Sequence, residues 1–156
     1  VLTITENSGT TSLQFDASAG GLLPKPLRGT LRLFDALGFG VLTEFPLKSG
    51  RRADVLALSQ AGEFWIAEVK SGVADFRTDH KWHEYAEWCD RFAFAVGPDF
   101  PTEILPESAG LIIADEYEGL FWREPVAARL PANRRKALTL RFAHTASRRL
   151  FSQTKL

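Results

Sequence analysis

Residues 51–72 read RRADVLALSQAGEFWIAEVKSG, and the spacing of charge in this stretch decides the fold. Residues 53–58 are apolar enough for a strand, Gln60-Ala61-Gly62 signals a turn, and residues 63–70 read as a second strand. Glu68 and Lys70 are two apart on that strand, so their side chains share one face. The remainder of it (Phe64, Trp65, Ile66, Ala67, Val69) is apolar on both faces. Charged groups in such a strand need a partner, an ion or the strand's exposed end. Asp54 begins the preceding strand, and antiparallel pairing across the short turn brings it beside the end of the next. Asp54, Glu68 and Lys70 are therefore expected to converge at one end of a sheet. The following Ser71-Gly72 is small enough to let a ligand approach.

Working outward, residues 41–47 read as a strand joined to residue 53 through the turn Lys48-Ser49-Gly50, which completes an antiparallel meander of three strands. Upstream, residues 27–37 carry apolar positions at helical spacing, with Pro24 and Pro26 at the start and Gly38 at the stop. Downstream, residues 74–88 read as one long helix and 91–96 (RFAFAV) as a buried strand. A strand reached across a helix is expected to run parallel to one of the earlier strands. Residues 102–105 suggest a helical turn, 110–114 and 119–123 a hairpin, and 134–150 a basic helix. Residues 1–21, rich in Thr, Ser, Gly and Ala, read as an arm with one short edge strand. The expected class is α/β: a central mixed sheet flanked by helices, in one domain over residues 22–156. Its core would span 27–97, and residues 98–156 would add the hairpin and the basic helix.

Two converging carboxylates make an oxygen-rich site suited to a hard cation such as Mg²⁺, which commonly takes one or two carboxylates and keeps several waters. An adjacent lysine can position or deprotonate an attacking water, or neutralise charge developing on a phosphate. The same residues also fit a structural salt-bridge cluster at a sheet edge, and spacing alone does not separate the two readings.

The composition is that of an ordinary globular chain, 45% hydrophobic and 24% charged over 156 residues. No apolar run reaches the ~20 residues of a membrane span, and residues 1–21 lack the pattern of a secretion signal. The single cysteine, Cys89, excludes an internal disulfide and a cysteine-based zinc cage, and a cytoplasmic location is expected. The net charge is zero but unevenly spread. Residues 132–156 hold seven bases (among them Arg134, Arg135 and Lys136) and no acid, leaving −7 on residues 1–131. Such asymmetry points to a polyanionic partner, against the plainer reading of a solvated helix face. Arg51 and Arg52, beside Asp54, can bind phosphate or pair with acids.

Asp54, then Glu68-Val69-Lys70 across a hairpin, followed by a helix and a strand, resembles the PD-(D/E)XK nuclease superfamily, whose core order is αβββαβ. The longer run GRRADVLAL…WIAEVKSGVADFRTDHKWHEYAEWCDRFAFAV resembles the MmcB-type family of DNA-repair-related bacterial proteins. The resemblance implies a restriction-endonuclease-like core and a Mg²⁺ or Mn²⁺ cofactor. The cation would be held by Asp54, Glu68 and the carbonyl of Val69, with Lys70 as base or charge stabiliser. It further implies DNA as partner and the homodimer by which related nucleases reach both strands, while the absence of a long apolar run leads to the expectation of no membrane partner. Lys81 and Tyr85 stand where RecB-like members carry a Gln-x-x-x-Tyr motif, with Lys81 in place of Gln. Two departures stand out. Ala53 replaces the proline, and the first helix has no Glu or His, which makes Glu44 on the first strand the candidate extra acid. Two functional readings follow: a metal-dependent deoxyribonuclease in repair or recombination, or a catalytically inactive nuclease-fold DNA-binding accessory protein.

Overall fold

The computed structural model describes the backbone of residues 2–7, 10–15 and 22–154, with side chains described from residue 22 onward. The expected arm falls partly on residues 1, 8, 9 and 16–21, which lie outside the described residues. Within the arm there are two strands rather than one, β1 (Leu2–Asn7) and β2 (Thr10–Phe15), paired antiparallel as a separate two-stranded sheet.

Helix α1 (Lys25–Ala36) starts just after Pro24 and ends where Gly38 takes a φ of 76°, a conformation open to glycine at no steric cost. Its apolar face presents Leu27, Leu31 and Phe34. Three antiparallel strands follow, β3 (Gly40–Pro46), β4 (Arg52–Leu58) and β5 (Phe64–Lys70), joined by turns in which Gly50 and Gly62 both sit at φ 85°. Strand β6 (Arg91–Val96) lies parallel to β5 in the register Glu68↔Phe94 and Lys70↔Val96. Strands β7 (Gly110–Ala114) and β8 (Gly119–Arg123) form the expected hairpin, and β7 also pairs parallel to β6. The hairpin thus widens one mixed sheet of six strands, ordered β3-β4-β5-β6-β7-β8.

The helix expected over 74–88 is broken. Helix α2 covers only Val73–Thr78, and Trp82–Trp88 form a 3-10 helix. Between them Asp79 leaves the helical region (φ −89°, ψ 89°), its carboxylate accepting from the Lys81 N–H at 3.0 Å and from Lys70 at 2.7 Å. A side chain that caps its own backbone and holds a buried lysine competes with helix continuation.

Each face of the sheet carries a core. Val55, Ala57, Ala67, Ala93, Ala95 and Ile112 pack against α1, where small strand residues let the helix come close. Leu56, Phe64, Ile66, Phe92 and Phe94 meet Tyr85 and Leu138 on the other side, the latter from α3 (Ala132–Ser152). Asp90 ties α3 down. Its carboxylate accepts from the Phe64 and Leu130 N–H groups and from both terminal nitrogens of Arg135, at 2.5–2.9 Å. Further along α3, Arg149 donates to the carbonyls of Thr43 and Glu44, and Arg141 to that of Pro46. The outer rim of β3 is therefore covered by arginines.

Candidate functional site

The last paired residues of the β4–β5 ladder are Val55 and Ala67. One step further the strands part, and the carboxylates of Asp54 and Glu68 take over the freed backbone donors. Glu68 Oε1 accepts from the Asp54 N–H at 3.0 Å, and Asp54 Oδ2 accepts from the Val69 N–H at 2.9 Å. Each carboxylate commits one oxygen in this exchange and keeps the other for a further partner. Glu68 is buried at 4% exposure, Lys70 at 6%, and Asp54 is half-buried. Lys70 reaches Asp79, Nζ to Oδ2 2.7 Å.

The electrostatics follow from this packing. Burial first, and the Asp54 charge second, push the Glu68 carboxyl up to about 8 from an ordinary 4.5. Asp54 is also raised by burial, against the opposing Val69 N–H, and the charge of Glu44 adds to the rise. Two acids that resist ionising together form a site whose charge a cation would balance.

Glu44 lies on β3 between the pairs Thr43↔Val55 and Phe45↔Ala53, level with Asp54. It has a φ of 52°, a region that a residue with a Cβ rarely adopts, and its exposed carboxylate is bound to Arg52 at 2.5 Å. Tyr85 is buried beside the acids, its hydroxyl donating to the Arg52 carbonyl at 3.1 Å. Burial and the charges of Glu68, Asp54 and Asp79 push that phenol upward. Lys81 precedes the 3-10 helix and is exposed, so it does not share a helical face with Tyr85. Among the described residues, no three His, Cys, Asp or Glu side chains gather into a cation cage.

The basic residues have other partners as well. Arg51 pairs with Glu84 at 2.8 Å, and Arg135 is committed to Asp90. Arg134 donates to the Glu87 carbonyl and lies over the Trp88 ring, whereas Lys136 is exposed. The sequence reading passed over Asp79 as the partner of Lys70. The available signal was the demand that any buried lysine places on a nearby acid. Nor did it find Asp90, whose partners lie 26 to 45 residues away.

Compared with known proteins, residues 23–155 match the model of a family described as DNA repair protein MmcB-like. Among solved structures, the chain is similar to a protein of unknown function from Silicibacter pomeroyi, with 45% identity and a TM-score of 0.79 over 83% of this chain and 90% of that one. No curated protein matches it. No helix among the described residues is long and apolar enough to cross a membrane.

Proposed function

The chain belongs to the MmcB-like DNA repair protein family, and from that premise we propose that it is a metal-dependent nuclease acting on DNA through Asp54, Glu68 and Lys70. The observation that carries this reading is the exchange between Asp54 and Glu68. Two acids face each other at the open end of a strand pair, each with one oxygen to spare, beside a buried lysine. The order α1, β3-β4-β5, α2, β6 supports assigning the core to the PD-(D/E)XK superfamily.

The donor set suits Mg²⁺ or Mn²⁺, since both side chains offer hard oxygens and the Val69 carbonyl would add a third. When bound, the cation would supply Lewis acidity toward a phosphate oxygen and lower the pKa of a water. The chain's own residues do the rest. Lys70, its ammonium bonded to Asp79, neutralises charge developing on a non-bridging phosphate oxygen. Tyr85 excludes water from the side of the acids that faces the core. Arg51, Arg52, Arg134 and Lys136 are the proposed phosphate contacts.

Incubating the protein with supercoiled, duplex, branched and single-stranded DNA in Mn²⁺ tests this directly. Nicking or cleavage is expected, and it should disappear in both Asp54→Ala and Lys70→Ala. If no DNA form is cut with any divalent metal, the catalytic reading fails. One observation favours a second reading, a DNA-binding accessory protein without catalysis. Lys70 is already held by Asp79, and among the described residues no third acid gathers with Asp54 and Glu68 into a cation cage. Salt-sensitive DNA binding that persists unchanged in Asp54→Ala, without cleavage, would select it.

A further inference from the structure

Where α3 passes the 3-10 helix and the β3–β4 turn, a cleft of about 190 Å³ opens, with Lys48, Trp88, Asn133, Arg134 and Arg141 in its lining. Its three cations come from two parts of the chain, Lys48 from the β3–β4 turn and Arg134 and Arg141 from α3, and no acid lines it. Arg134 donates one N–H to the Glu87 carbonyl at 2.6 Å and lies 4.7 Å above the Trp88 ring. Arg141 donates from Nη2 to the Pro46 carbonyl and lies over Phe45, but its Nη1 is buried with no acceptor among the described residues. Lys48 stands exposed on the turn, with no ion pair among the described residues.

Two unfavourable terms thus meet around Arg141. A buried guanidinium nitrogen without an acceptor retains its desolvation penalty. Three cations gathered without an acid also repel one another. The repulsion is relieved by an oxyanion in the cleft, because guanidinium groups offer it donors and an ammonium adds a point charge. A lysine and two arginines around a small cleft suit a phosphate group, whose tetrahedral oxygens can be reached by donors from several directions, where a carboxylate offers two oxygens in one plane.

We propose that this cleft binds a phosphate-type oxyanion, supplied by a nucleic-acid backbone and held by Lys48, Arg134 and Arg141. The choice of nucleic acid over free phosphate rests on the function proposed above, while the chemistry of the cleft does not. The cleft is separate from the acids at Asp54 and Glu68. It would anchor a strand by one phosphate while another part of that strand reaches the acids.

The test measures binding of a fluorescein-labelled 20-nucleotide DNA by anisotropy at several salt concentrations, and of inorganic phosphate by calorimetry. Wild type is compared with Lys48→Glu, a change on an exposed turn, and with Arg141→Gln, whose fold is checked by thermal unfolding. Lys48→Glu is expected to weaken DNA binding roughly tenfold and to reduce the slope of log K against log salt by about one. If wild type binds DNA and Lys48→Glu matches it in affinity and slope, the cleft is overturned while the DNA reading survives. If wild type binds phosphate but not DNA, and Lys48→Glu loses the phosphate, the anion site stands and the DNA reading falls. Binding of neither ligand overturns the cleft.

Discussion

Glu68 gives the site a titration that experiment can read. Its folded carboxyl, pushed to about 8 by burial and by Asp54, holds a proton that the unfolded chain releases near 4.5. Between those values the folded state binds more protons, so stability must fall as pH rises. Asp54, raised by burial, acts in the same direction. Thermal unfolding in EDTA should therefore show a midpoint that declines from pH 5 to pH 8. Glu68→Gln should flatten this decline and stabilise the metal-free protein at pH 8 by roughly 2 kcal/mol, about 5 °C in midpoint, with little effect at pH 5. A midpoint that rises with pH in wild type would contradict the assignment. Mn²⁺ should stabilise wild type more at pH 8 than at pH 5, because a cation competes with the proton for the same oxygens. Asp90 shows the contrary case. Despite its burial, Arg135 and two backbone N–H groups hold its carboxyl below the ordinary range.

Among the elements, the seat of α1 depends on missing side chains at Gly29 and, across the contact, at Gly119. A Cβ at Gly29 would stand 2.4 Å from the Asp115 carbonyl oxygen and 2.3 Å from that of Glu118, so the helix and the β7–β8 turn meet backbone to backbone. The Gly29 N–H donates to the Asp115 carbonyl at 3.0 Å across this contact. Gly29→Ala must push α1 away from the turn and should cost about 1–3 kcal/mol in urea unfolding, despite alanine's higher helix propensity. A neutral or stabilising result would mean that the contact is looser than described. Periodicity and turn residues made most elements legible, because strands β3 to β8 and helices α1 and α3 each carry their own pattern. The approach of Asp54 to Glu68 followed from the shortness of the β4–β5 turn. What escaped depends on pairs distant in sequence. The break after Thr78 requires Lys70 to draw in Asp79, and the place of β7 beside β6 has no local signature. Likewise, Arg135 read as a free base until the fold brought Asp90 to it. The backbone of Glu44 at φ 52° was equally hidden, since a tight positive-φ position announces itself only when glycine or asparagine occupies it.

For the molecule as a whole, charge and edge protection are arranged by the same helix. The basic α3 lies against a sheet whose remaining chain is acidic, and it spends Arg141 and Arg149 on the carbonyls of β3. Strand β8, at the opposite rim, pairs with no further strand among the described residues, and it exposes Leu120 and Trp122, with Trp122 at 71%. An uncovered edge strand with apolar side chains is a template for unwanted pairing. Trp122→Lys should leave the unfolding free energy within about 0.5 kcal/mol of wild type and raise the concentration at which light scattering sets in. The same substitution should leave that concentration unchanged only if association proceeds elsewhere. The arginine clasp on β3 thus decides how the protein would fail in storage. Precipitation would then start from the β8 rim, where Leu120 and Trp122 are exposed, and the shelf life of a concentrated solution would follow the polarity of that rim.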